Sequence, residues 1–312
     1  MQSSADLALT PPVKKRKPKM SGLQRRQAVE AWLILTPILL YYSIFFLFPV
    51  VANLFVSFTR WNGIQGAPQW IGLANYRSYL KGAYPLIVSN TVLFAVVILL
   101  VQTGLALLIA ILLNEKVFGR GVFRALFYIP TLTSAAVTAQ VAFAFISPYD
   151  GVLNEILKLF GRPIEVWTIS AFWMRTFIIV YSIWRGVGGP VVLFLAALQG
   201  IHREIYESAM VDGATGRDML WYITLPLLRP MIIFVLVTGM IGSFQIFEAV
   251  LLMSKGGPAN QTNVMLLQIY NDAFVNTNMG LASAGSIVMA IILLGFSTTN
   301  MRIMNRGQVA KD

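Results

Sequence analysis

Apolar residues run along this chain in blocks, and most polar positions fall between them. Six windows are long and apolar enough to cross a bilayer core about 30 Å thick, which takes roughly 20 helical residues. They lie at approximately 32–58, 86–113, 122–146, 171–198, 231–253 and 281–301. The pattern predicts an all-α polytopic membrane protein with six transmembrane helices. The first window is too long for a signal-peptide core and runs on into Trp61, so it is expected to stay in the chain. Residues 1–30 are polar and broken by Pro11, Pro12 and Pro18, which predicts a disordered basic tail. Residues 31–306 then make the transmembrane domain, and 307–312 a second short tail.

One connection is longer than a turn between two spans requires. Residues 203–211 have the period of a short amphipathic helix, Asp212-Gly213 supplies its stop, and a second helical stretch follows before Leu225-Pro226. Pro230 is expected at the start of the fifth span, where a missing N–H costs no hydrogen bond. A short helix lying on the membrane surface between the fourth and fifth spans can serve as a lever for another protein. Ser208, Ala209, Gly213 and Ala214 are small enough for close approach, and Glu207 with Asp212 supplies charge at the rim.

Composition narrows the chemistry. The chain is 57% hydrophobic and 12% charged, with a mean hydropathy of +0.69. An ordinary soluble domain is about 25% charged. With no Cys and a single His, His202, thiolate chemistry and multi-His metal sites are excluded. The net charge of +11 reports topology and not nucleic acid. Seven Lys and Arg lie in residues 1–30, three in 114–124 (Lys116, Arg120, Arg124), three in 200–229 (Arg203, Arg217, Arg229) and three at the end (Arg302, Arg306, Lys311). The opposite side holds six: Arg60, Arg77, Lys81, Lys158, Arg162 and Lys255. Positive residues favour the cytoplasmic face, so both termini and the 203–213 helix are expected there. The other loops, with Trp61-Asn62-Gly63 and Gly256-Gly257-Pro258, read as short ordered connections, and Lys255 and Asp272 as solvated residues of an external loop.

Polar groups inside spans are costly and mark functional positions. Spacing at 100° per residue places Phe177, Tyr181, Trp184, Arg185 and Gly188 on one face of the fourth span, which Gly186-Val187-Gly188-Gly189-Pro190 then loosens. The same construction groups Phe244, Gln245, Glu248 and Leu252 on the fifth. Amide, carboxylate and aromatic groups along such stripes suit a sugar's hydroxyls and its apolar face. Packing is the plainer alternative, with Arg185 and Glu248 neutralising one another between helices.

Glu207-Ser208-Ala209, followed at fixed spacing by Gly213, Ile223 and Leu225-Pro226, resembles the EAA signature of bacterial ABC importer permeases, with Ser208 in place of the usual Ala. The similarity runs from about Trp184 to Arg302 and points to the carbohydrate-uptake branch that includes the maltose permease. Gly256-Gly257-Pro258 and Gly280-Leu281-Ala282-Ser283-Ala284 belong to it, whereas His202 stands where the family commonly has Pro. The resemblance implies a permease in a bacterial cytoplasmic membrane. Its partners would be a second, homologous permease, two ATP-binding cassette subunits and an extracytoplasmic sugar-binding protein, with lipid around it. It also implies that the 203–213 helix couples to the ATPase through Glu207, Ala209 and Gly213, joined by Ser208, Asp212 and Ala214. Residues near Trp184, Gly186, Ser243 and Gln245 would touch sugar, beside Tyr181, Arg185, Phe244 and Glu248. The chain lacks a G-x-x-x-x-G-K-[ST] segment, so no cofactor is expected on it, and ATP and Mg belong to the partner ATPase. An ABC permease for another solute such as glycerol phosphate is the nearest alternative. An ion-coupled secondary transporter or an intramembrane enzyme is disfavoured by the scarcity of intramembrane carboxylates and nucleophile–base pairs. Arg185 raises the further expectation of an acidic cargo.

Overall fold

A computed structural model describes residues 22–115 and 119–306. The basic run at 14–19, Lys116 and the tail at 307–312 lie outside the described residues. The chain divides into two compact units, Met1–Asn53 and Leu54–Asp312.

The first unit is helical: α1 (Gly22–Tyr42) passes through a π turn, Ser43–Leu47, into α2 (Phe48–Val56), whose last residues, from Leu54, are counted with the second unit. The helix thus begins inside the segment expected as tail, so residues 22–30 are ordered. Arg26 and Glu30 pair across one turn at 3.0 Å, and the i,i+4 ring pairs Tyr41–Phe45 and Tyr42–Phe46 stack at 4.8 and 5.1 Å.

The second unit holds the remaining elements. A two-residue hairpin, β1 (Thr59–Arg60) against β2 (Gln69–Trp70), pairs antiparallel with Thr59 opposite Trp70. Then come α3 (Ala74–Ser78), α4 (Tyr84–Asn114), α5 (Arg120–Leu132), α6 (Ala135–Phe145) and α7 (Val152–Leu159). They are followed by α8 (Ala171–Gly186), α9 (Gly188–Gln199), α10 (Arg203–Val211) and α11 (Gly216–Asp218). The last are α12 (Leu225–Phe244), α13 (Glu248–Met253), α14 (Met265–Tyr270) and α15 (Met279–Arg306). Among the described residues, four helices are long and apolar enough to cross a membrane, or six if each of two bent pairs counts as one span.

Two of the predicted spans need correction. The third does not run straight from 122 to 146, because α5 and α6 meet at 101°. Thr133 and Ser134 between them are extended, with ψ of 148° and 129°. Pro130 and the hydroxyl residues after it weaken the helical ladder, and the hydroxyls occupy its carbonyls: Thr133 bonds Ile129 O at 3.0 Å and Thr138 bonds Ser134 O at 3.1 Å. The fifth span starts earlier than Pro230, since helix runs from Gly216 through a π turn at Met219–Thr224 into α12, with Pro230 inside. Pro230 forfeits one hydrogen bond without ending the helix, because packing holds both flanks; Leu228 is 1% and Val235 2% exposed. The fourth span breaks where Gly186 and Pro190 predicted, with α8 and α9 at 43°.

The core is organised around α4. Its Phe94 and Ile98 join α6, α8 and α13 in one cluster. Its Ala106, Ala110 and Leu113 join α9 and α12 in a second, and its Ile87 and Ala95 join α12, Met265 and Met289 in a third. Ala106 and Ala110, one turn apart and both fully buried, let the neighbouring helix approach closely. In lipid such van der Waals fit, and not apolar burial as such, holds helices together.

Asp272, expected to be solvated, is 2% exposed. Gln268 and Asn276 donate to its Oδ1 at 2.9 and 3.3 Å, and the Tyr84 hydroxyl to Oδ2 at 3.3 Å. Burial pushes its carboxyl above the ordinary carboxylate range, and these three donors pull the other way without cancelling it. Lys255 is exposed as expected.

Candidate functional site: a charged cavity and a capped turn

The break between α8 and α9 frees main-chain groups inside the protein. Pro190 has no N–H for the Gly186 carbonyl four residues earlier, and the bend disturbs the bond that would serve Arg185. Two side chains from other helices take their place: Gln102 Nε2 of α4 donates to Gly186 O at 3.1 Å, and Thr131 Oγ1 of α5 donates to Arg185 O at 2.8 Å. The glycines permit this proximity. A Cβ on Gly186 would lie 2.9 Å from Gln102 Oε1, and one on Gly188 would run into the Phe127 carbonyl.

A second interruption faces the first. Helix α12 ends at Phe244, and Gln245–Phe247 are non-helical before α13 begins at Glu248. Between the two breaks lies a cavity of about 490 Å³, bordered by Gln102, Tyr181, Ser182, Arg185, Gly186, Ser243, Gln245 and Glu248 among others. Arg185 Nε is buried without a hydrogen-bond partner among the described residues. No ion pair joins Arg185 to Glu248, so the neutralising pair considered above is absent and both charges border open space. Opposite charges, amides and a hydroxyl around one cavity can orient a polar solute by hydrogen bonds from several sides.

Two of the residues expected on the cavity stand elsewhere. Phe244 is 1% exposed and packs against Phe296, ring centroids 5.3 Å apart, on the far side of its helix. Its stripe with Gln245 and Glu248 assumed one continuous helix, and the unwound residues shift the phase. Trp184 is half exposed and borders a separate apolar hollow with Phe177 and Val180. Tyr181 borders the cavity, but its hydroxyl is engaged by Thr138 Oγ1 at 2.8 Å and donates to Ala135 O at 3.0 Å, which leaves the ring as its free part. Gln102 and Ser182 were missed. A polar Gln within the second apolar window was the available signal for the first of them.

The 203–211 helix and its stop form as their pattern predicts. Helix α10 ends at Val211 with Asp212 as its cap, and Gly213 adopts φ +84°, where any other residue is strained. The Ala214 N–H bonds Ala209 O at 2.9 Å and the Gly213 N–H bonds Met210 O at 3.1 Å, the double closure that seals a helix C-terminus. At once the next helix is capped. Asp218 N–H bonds Thr215 Oγ1 at 3.3 Å, and Thr215 N–H returns a bond to Asp218 Oδ2 at 3.0 Å. This capping box, Thr-x-x-Asp in the sequence, also went unread. Glu207, Ser208 and Asp212 are exposed and Ala209 half-buried. Arg203 pairs with Glu207 at 2.7 Å on that surface, an exposed contact that contributes about 0–1 kcal/mol. Tyr206 reaches Thr224 with its hydroxyl at 3.0 Å, tying α10 to the foot of the fifth span.

Residues 102–306 match the family described as binding-protein-dependent transport system inner membrane component. The chain belongs to that family, so it is a multi-pass membrane component of a transport system and works as a permease, not as an enzyme. It is 34% identical over 261 residues to the lactose transport system permease protein LacF of Rhizobium radiobacter, covering 81% of this chain and 86% of that protein. It is 29% identical to the sn-glycerol-3-phosphate transport system permease protein UgpA of Agrobacterium fabrum, covering 88% and 94%. It superimposes with a TM-score of 0.80 and 25% identity, over 90% of its length and 96% of the other, on a chain of a bacterial ABC transporter involved in the import of the acidic polysaccharide alginate. That transporter has also been solved in complex with an alginate pentasaccharide-bound periplasmic protein.

Proposed function

We propose that this chain is one permease subunit of an ATP-driven importer that carries a sugar or oligosaccharide. The cargo, delivered by an extracytoplasmic binding protein, passes through the cavity between the two helix breaks. The observation that carries this reading is that cavity, lined by amide, hydroxyl and charged groups and unpaired at Arg185, inside a member of a binding-protein-dependent transport family. Its volume falls in the range of about 300–1,000 Å³ usual for small-molecule sites. The sugar transporters among its relatives support the cargo class. A second, homologous permease and two ATP-binding cassette subunits complete the assembly. ATP and Mg sit on the ATP-binding cassette subunits, and the α10 turn with Glu207, Ser208, Ala209, Asp212, Gly213 and Ala214 docks against one of them. The excess of Lys and Arg on one side supports placing both termini and this turn in the cytoplasm of a bacterial cell, and the chain in its inner membrane.

The test is uptake by proteoliposomes containing the purified complex, supplied with the binding protein and a panel of labelled sugars. Uptake is expected to require both ATP and the binding protein. Uptake by vesicles holding this chain alone, or driven by an ion gradient without ATP, overturns the proposal.

A second reading concerns the cargo's charge. The unpartnered Arg185 Nε at the cavity, with relatives that handle glycerol phosphate and an acidic polysaccharide, supports an anionic cargo over a neutral one. Arg185→Gln is then expected to reduce uptake of an acidic oligosaccharide at least about tenfold, the factor that corresponds to 1.4 kcal/mol, and uptake of a neutral one much less. Equal effects on both discard the idea.

A further inference from the structure

Earlier on α8 stands a second arginine whose contacts lead away from the cavity. Arg175 Nε donates to Gln261 O at 2.7 Å, and Nη2 donates to Gln261 Oε1 at 2.6 Å and to Asn90 Oδ1 at 3.0 Å. All three acceptors are neutral. A cation within a span is costly, so a purpose for it has to be sought in geometry and not in charge pairing. A guanidinium fork holds several acceptors in fixed directions, which the point charge of a lysine does not.

What the fork holds is the connection between α13 and α14, residues 254–264. Asn90 on α4 grips the same segment, donating to Asn260 O at 3.0 Å and Asn263 O at 3.1 Å, while Thr91 Oγ1 accepts from the Met265 N–H at 2.8 Å. Inside the loop Thr262 Oγ1 donates to Gly257 O at 2.6 Å and lies 2.8 Å from Ser254 Oγ. Thr262 is fully buried and Asn263 3% exposed. Lys255, Ala259 and Asn260 are kept at φ of 51°, 46° and 60°, a region that side-chain-bearing residues leave unless their surroundings hold them. The loop is therefore pinned from two helices.

Between this pinned loop and the cavity runs only α13. Its first residue, Glu248, borders the cavity, and its body is packed among α6 and α8 through Ala249, Val250 and Met253. On its other side the chain is unwound at Gln245–Phe247 and supplies no comparable stop. We propose that Arg175 is a positioning residue: by fastening residues 254–264 to α8 and α4, it sets the depth at which Glu248, and with it Gln245, stands in the cavity. The inference rests on reading that cavity as the cargo passage.

The chain contains no cysteine, so a single introduced one reports on one place once labelling is read on this chain after the subunits are separated. In the purified complete transporter, Glu248→Cys is reacted with a hydrophilic maleimide and its labelling rate compared with that of Ile64→Cys, in the loop between β1 and β2 and away from the α10 turn, where the native residue is 76% exposed. Adding Arg175→Lys is expected to change the Glu248→Cys rate by roughly fivefold or more, as a local change in opening does, and to leave the Ile64→Cys rate alone. Gln261→Ala, approaching the clamp from the loop, is expected to act in the same direction, and the two together no more strongly than Arg175→Lys. An unchanged Glu248→Cys rate overturns the positioning role and leaves the passage reading standing, whereas changes at both reporters mean general loosening and overturn it too. If Glu248→Cys fails to react even with Arg175 in place, the cavity is closed to water, and the passage reading falls together with this inference.

Discussion

The cavity and the α10 turn are built by opposite means. The bonds that close the turn span a few residues: Ala214 to Ala209, Gly213 to Met210, Thr215 to Asp218 and back. At the cavity the decisive bonds join distant segments, Gln102 to Gly186 and Thr131 to Arg185. A locally closed turn keeps its shape wherever its ends are carried, which is what a lever arm requires. A cavity held by cross-helix bonds changes shape when its helices shift, which is what a passage opened and closed by that lever requires. Stiffness and compliance are therefore distributed according to the order of bonds along the chain.

The sharpest way to break this comparison is at the turn. Gly213→Trp combines a φ of +84° with a bulky side chain on the surface proposed to dock. It is expected to abolish ATP-driven uptake while the protein still inserts and assembles, as checked by uptake and size-exclusion chromatography. Normal coupling in that variant removes the lever. Next in size is Gly188→Ala, whose Cβ would run into the main-chain carbonyl of Phe127. Overpacking of this kind costs about 1–3 kcal/mol, seen as a lowered Tm in detergent, with uptake reduced as α5 is pushed from α9.

Thr131→Val sharpens the cavity side. Losing its bond to the Arg185 carbonyl costs about 0.6–1.7 kcal/mol in a membrane setting. The same change at an exposed hydroxyl such as Thr238, bonded within its own helix to Phe234 O, is expected to move Tm much less. The smallest effect is one of pH. Asp272 has its folded-state carboxyl raised by burial, so it contributes stability that is complete below the unfolded value of about 3.9 and is lost as pH rises through the higher folded value. Tm is therefore expected to fall slightly as pH rises above about 4 for the parent protein, and Asp272→Asn to remove that component of the slope.

How much of this was legible in the sequence follows the same division. The turn could be read because its determinants are contiguous: the period of 203–211, the glycine at its end and the proline pair beyond. The bend at Gly186 was readable for the same reason, since Gly and Pro act on their own backbone. Helical spacing placed Tyr181, Arg185, Gln245 and Glu248 on the cavity, and the family resemblance placed Gly186 and Ser243 there; the spacing failed for Phe244, because the wheel carries no phase across the unwound Gln245–Phe247. It failed again at α5 and α6, where apolarity alone does not report a 101° bend. The partners of Asp272 and of the Gly186 carbonyl come from other helices, and one sequence holds no sign of which helix that will be.

Among all these bent and interrupted segments, α4 runs for 31 residues without a break, about 46 Å at 1.5 Å per residue, and contributes to each of the three packed clusters. It is the natural ruler of the molecule. Paired spectroscopic labels along its length are expected to keep their separation through a transport cycle, so the travel of every other helix can be measured against an internal scale.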